Sequence, residues 1–206
     1  ALPIFVIDAA DSSPQPHELV DIDLPSCIEQ LGSGVHYLAA RGLPRRHVNT
    51  RGSSEAWLQA VADCVPQADV VIVHAEARDL CRLLGRREVA PVLMSELSSE
   101  SLTEAYAAMK LLSQRCGLMA FDLLVGMASR PRRAERVADR LASCADNFLS
   151  AVLRSWAAVD RDLPITAPVN TELERVAANQ LTGLEGHSAL SLPRPGAGRG
   201  MALALD

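Results

Sequence analysis

The chain is expected to be an α/β protein, a mostly parallel twisted sheet flanked by helices on both faces, Rossmann-like in class. Three observations carry that expectation. Short apolar runs rich in Val, Ile and Leu recur and stop abruptly, as strands buried on both faces of a sheet do. Between them lie longer stretches with apolar residues every three to four positions, the spacing of amphipathic helices. The two patterns alternate along the chain, which calls for crossover connections and therefore for parallel pairing.

The elements are justified in order. Ile4-Phe-Val-Ile7 is a strand that closes at Asp8 and gives way to the polar Asp11-Ser-Ser-Pro14. A second short strand covers residues 35–38 after a Gly32-Ser-Gly34 turn, and a basic loop follows from Arg41 to Arg51. Ser53 and Ser54 are placed to cap a helix that carries Trp57, Leu58, Val61 and Val65 on one face and stops at Pro66. Val70-Val-Ile-Val73 is a continuous β-branched strand, followed by a helix over 78–84 ending at Gly85 and a strand over 89–93.

Ser101 with Glu104 has the spacing of a capping box, opening a helix in which Leu102, Ala105, Tyr106, Met109 and Leu112 follow the helical period. Residues 119–127 form an apolar strand interrupted by Asp122. Pro131 suits the first turn of a long helix that turns Ala134, Val137, Ala138, Leu141, Ala145 and Phe148 inward. A last strand covers 152–159 and a last amphipathic helix 171–181. Residues 1–186 are expected to be one domain, and the Pro-, Gly- and Ala-rich residues 187–206 a flexible tail.

The 206 residues carry Lys+Arg 20 against Asp+Glu 25, a net charge of -5, and the single lysine is Lys110. No Gly-rich turn accompanies Lys110, so the chain holds no intact Walker A phosphate loop. The mild acidity disfavours a nucleic-acid partner. The 5 cysteines are far apart and odd in number, which favours reduced thiols and a cytoplasmic setting over disulfides or zinc. No apolar run reaches the length of a membrane span, so stable membrane insertion is not expected.

Tyr106-x-x-x-Lys110 has the spacing of a dehydrogenase acid–base pair, yet no Gly-rich dinucleotide turn follows the first strand, which removes the context that chemistry needs. The 5 histidines lack metal-ligand spacing, and no metal is expected. His74 ends a buried strand, where open α/β sheets place ligand-binding groups. Arg130, Arg132, Arg133, Arg136 and Arg140 cluster at the start of the long helix, either as a solvated face ion-paired with Glu135 and Asp139 or as a surface for a partner.

Several stretches, in order, resemble the MinD/ParA-type ATPases, in particular the FlhG/FleN branch that governs flagellar number and placement. Ser98 to Lys110 is similar to that branch's PEPTSITDAYALIK segment, with Tyr106 and Lys110 in register. Ala68-Asp-Val-Val-Ile-Val-His74 resembles the Walker B strand, and Ile4 to Asp11 the family's second strand. Leu123 to Ala128 resembles a later strand that carries an adenine-contacting Asn, and Phe148 to Leu153 a further family segment.

The resemblance implies a MinD-like fold without the P-loop strand, and its departures imply a degenerate nucleotide site. His74 stands where the magnesium-positioning carboxylate is expected, Gly126 stands for the adenine-contacting Asn, and Asp8 and Asp11 remain as carboxylates. Imidazole does not supply the anionic oxygen that Mg²⁺ prefers. The expectation is a pseudo-ATPase regulator or adaptor with no cofactor, acting through protein partners as a homodimer or in a heteromeric complex. Its setting would be a motility, secretion or envelope apparatus, with the protein cytoplasmic or peripheral at an envelope-spanning complex. The alternative is an active enzyme that uses ATP and Mg²⁺ through a P-loop outside this chain, or a Rossmann-like enzyme of another kind.

Overall fold

The computed structural model describes residues 2–85, 87, 89–126, 131–160, 162–164 and 167–185. Its elements are β1 (Ile4–Asp8), β2 (Glu29–Gly32), β3 (Val35–Ala39), α1 (Leu43–Arg46), α2 (Glu55–Asp63), β4 (Val70–His74), α3 (Ala77–Leu84), β5 (Val92–Ser95), α4 (Ser99–Cys116), β6 (Ala120–Gly126), α5 (Pro131–Leu149), β7 (Val152–Val159) and α6 (Thr171–Glu185). The class is α/β, with mostly parallel strands flanked by helices, as the alternation of patterns requires.

The strands hydrogen-bond into two sheets rather than one. The first has the order β2-β3-β1-β4 and the second β5-β6-β7, and among the described residues no strand pairs with both β4 and β5. Backbone contacts likewise gather into two compact units that part between Arg87 and Glu88, and each is described by itself.

In the first unit β1 is central, parallel to β3 on one side and to β4 on the other. Its alternation places Phe5 and Ile7 at 0% exposure on the face where Leu38, Val71 and Val73 are also buried. β4 carries the continuous apolar run that marked it in the sequence. Gly34, at φ 85, forms the turn that joins β2 to β3 as an antiparallel pair. β2 was not anticipated: Glu29 to Gly32 is exposed along its whole length and offers no apolar alternation.

Ser54 occupies the N-cap of α2 without capping it; its hydroxyl donates to the Pro44 carbonyl at 2.5 Å and ties α2 to α1. The neighbouring Ser53 hydroxyl accepts from the Glu55 amide at 3.2 Å instead. His47 also stacks on the Trp57 ring, with centroids 5.9 Å apart.

In the second unit β6 lies between β5 and β7 and is parallel to both. Leu93, Phe121, Leu123 and Val125 are buried on one face, with Ala105, Met109 and Leu112 of α4 and Ala134, Val137, Ala138, Leu141 and Ala145 of α5. β5 starts at Val92 rather than at residue 89, because Pro91 has no amide to donate to the ladder and contributes only its carbonyl, to Asp122 N–H at 2.9 Å.

Two further expectations are corrected here. Ser98, not Ser101, caps α4: its hydroxyl accepts from the Ser101 amide at 3.1 Å, while the Ser101 hydroxyl accepts from the Glu96 amide at 2.9 Å. Glu104 therefore lies a turn further into the helix than a capping box needs. Phe148 is 74% exposed, not inward. The buried stripe of α5 ends at Ala145, and the chain reverses at Ser150, whose φ of 51 is left-handed. The expected tail, residues 187–206, lies outside the described residues, as does Arg130.

Candidate functional site

Parallel pairing brings the ends of β1, β3 and β4 into line. Asp8 closes β1 and sits in register with His74, which closes β4. Both extend from the carboxyl edge of the sheet, where open α/β folds place reactive groups. The next residues hold the edge together, with Ala9 N–H donating to the His74 carbonyl at 2.7 Å and Ala40 N–H to the Asp8 carbonyl at 2.8 Å.

The two side chains meet. His74 Nδ1 lies 2.7 Å from Asp8 Oδ1. A carboxylate only accepts, so Nδ1 carries a proton. The Ser13 hydroxyl donates to the same oxygen, and the Tyr37 hydroxyl donates to Oδ2 at 2.9 Å. Both Asp8 oxygens are thereby engaged by the protein. His74 is 47% exposed at its side chain and Asp8 18%.

The electrostatics follow from these contacts. Burial pushes the Asp8 carboxyl up, but hydrogen bonds from Ser13, His74 and Tyr37, with the charge of His74, outweigh it and hold the group below the usual carboxylate range. Tyr37 moves the other way. Burial, the hydrogen bond to Asp8 and the negative charges of Asp8 and Glu29 push its phenol up to about 12.

Asp11, the other carboxylate singled out in the sequence, is drawn away from this cluster. It pairs with Arg45 at 2.9 Å, and Arg45 also holds Asp79 at 2.9 Å. Asp79 is fully buried and takes a second ion pair from Arg82. The basic loop also makes surface contacts: Arg46 and His47 both reach the exposed Asp21 at 3.1 Å.

Gly126 closes β6 in the second unit and lines a groove of about 410 Å³ with Met94, Glu96, Glu100, Glu104, Leu124 and Val159. Arg132, Arg133, Arg136 and Arg140 are exposed on α5, and none of them makes an ion pair among the described residues. Among the described residues no group of three or more His, Cys, Asp or Glu is arranged to hold a metal ion, and no helix is long and apolar enough to cross a membrane. The five cysteines are half-buried.

Ser13 and Tyr37 were not identified from the sequence. Tyr37 reaches Asp8 only because β3 runs parallel beside β1 with Tyr37 opposite Val6, one pleat before Asp8 on the same face. No local pattern encodes that register.

The residues test poorly as a magnesium–nucleotide site. Three donors of the chain already engage the Asp8 oxygens, and position 74 supplies nitrogen rather than the anionic oxygen that Mg²⁺ prefers. No family model and no curated protein matches the chain.

Proposed function

We propose that the chain is a MinD-like scaffold that works by holding protein partners and does not turn over nucleotide, in the assembly or placement of a motility, secretion or envelope apparatus. The observation that carries the reading is the self-contained Asp8 cluster. A carboxylate that positions a magnesium-bound water needs acceptor sites that the protein's own donors do not crowd. Asp8 already accepts from Ser13, His74 and Tyr37, all from within the chain. The four exposed arginines of α5, without an ion pair among the described residues, support the second half of the reading. Arg132, Arg136 and Arg140 recur at intervals of one helical turn and present one cationic stripe, suited to an acidic protein surface.

Calorimetric titration of the purified chain with ATP and Mg²⁺ is the direct test. The expected result is no heat of binding in the micromolar range. Micromolar binding that is lost in Asp8→Asn would overturn the proposal in favour of a nucleotide-dependent protein.

A further inference from the structure

The groove on the second unit has a composition that the Asp8 cluster does not explain. Strand alternation puts Asp122, Leu124 and Gly126 on one face of β6, with Met94 paired to Leu124 and Val159 to Gly126. α6 covers this face at Asp122: Gln180 Nε2 donates to Asp122 Oδ2 at 2.7 Å, and Asn179 donates to the Ser155 hydroxyl at 3.3 Å. Towards the carboxyl ends of the strands the face is open among the described residues. Met94 is 59% exposed, and Leu124 and Val159 are half-buried. Three strands set the apolar floor, two inter-strand spacings or roughly 10 Å across, the length of about three extended residues.

One wall of the groove is acidic. Glu96 follows β5, and Glu100 and Glu104 stand one turn apart on α4. Glu100 and Glu104 are exposed and make no ion pair among the described residues. Like charges at this spacing repel, and a cation brought between them removes that cost. Anionic lipid surfaces and nucleic-acid backbones are repelled by the same wall. An exposed methionine adapts to varied apolar side chains.

We infer that this groove docks a short segment of a partner protein in which Lys or Arg flanks an aliphatic or aromatic residue. The apolar side chain seats on Met94, Leu124 and Val159, and the cation reaches Glu100 and Glu104. The inference uses the second unit alone and stands whether or not the chain binds nucleotide.

Random peptides displayed on phage and selected against the whole chain supply the test. The enriched sequences are expected to pair a basic residue with an apolar one. Fluorescence anisotropy with the best enriched peptide should show affinity roughly tenfold weaker for the Glu100→Gln/Glu104→Gln variant, as two exposed charge contacts allow. Met94→Asp should weaken it as well, with circular dichroism showing both variants folded. No enrichment, enriched peptides without a basic residue, or an affinity unchanged by the double neutralisation would each overturn the proposal. Salt-sensitive self-association of the chain that Glu100→Gln/Glu104→Gln abolishes would assign the groove to a second copy and overturn it too.

Discussion

Asp8 sets the local chemistry of the first unit through three donors. Replacing it by Asn removes the negative charge beside Tyr37 but leaves the phenol buried. Its titration should then fall back part of the way from about 12 towards the ordinary value of 10. The phenolate absorbance, isolated by difference from Tyr37→Phe, reads this directly. The two groups have opposite linkage signs. Asp8 is depressed on folding, so its contribution is present above the unfolded carboxylate value and fades as pH falls through the folded one. Tyr37 is raised, so its contribution is complete below the unfolded phenol value and fades as pH rises from there through about 12. Denaturant midpoints for the wild type and Asp8→Asn should therefore converge in acid and separate at neutral pH. A gap that persists unchanged into strong acid would show that Asp8 contributes by packing rather than by charge. The meeting of Asp8 with His74 was legible as two residues ending two strands. That they touch required the pairing of β1 with β4, and Tyr37 and Ser13 required register and loop geometry that residue order does not encode.

At the level of elements, the informative signal was a polar residue in an apolar run. Asp122 interrupts β6 and is fully buried, with Arg154, Ser155 at 2.8 Å and Gln180 at 2.7 Å all donating to it. The register shift between Phe121 and Asp122 places the Arg154–Ser155 pair of β7 against this one carboxylate, so a bulge aims two donors at one acceptor. Asp122→Ala leaves the guanidinium, hydroxyl and amide without their acceptor and should cost about 3 kcal/mol in chemical denaturation. Asp122→Asn should lose less, because its amide oxygen still accepts. Ser150 offers the opposite sign. Its left-handed φ of 51 burdens a residue with a Cβ, so Ser150→Gly should stabilise by about 0.5–1 kcal/mol, measurable as a higher denaturant midpoint. Helices with strong periodicity, such as α4 and α5, were legible in position and inward face. Their ends were not: Ser98 and Ser101 both have capping chemistry, and only the observed hydrogen bonds decide between them.

On the scale of the whole molecule, the class was legible because parallel strands and crossover helices impose different periods on one chain. The division into two sheets was not, since each strand looks the same whether or not its outer neighbour exists. The two buried carboxylates illustrate the division. Asp79 is held by Arg45 and Arg82, Asp122 by Arg154, Ser155 and Gln180, with no residue in common. The stability losses of Asp79→Ala and Asp122→Ala should consequently add in the double variant to within about 0.5 kcal/mol. Larger non-additivity in the denaturation curves would reveal coupling through the rest of the chain.

β2 has a consequence for behaviour at high concentration. It is a four-residue, fully exposed strand laid antiparallel on β3, with a register shift between Gln30 and Gly32. A short, bulged outer strand is a poor template for pairing with another molecule, whereas the Val35–Ala39 backbone beneath it would be a good one. The hairpin thus acts as a guard on that flank of the sheet. Gln30→Pro, which puts a residue that strands disfavour into this pairing, should leave helix content intact and appear instead as concentration-dependent light scattering.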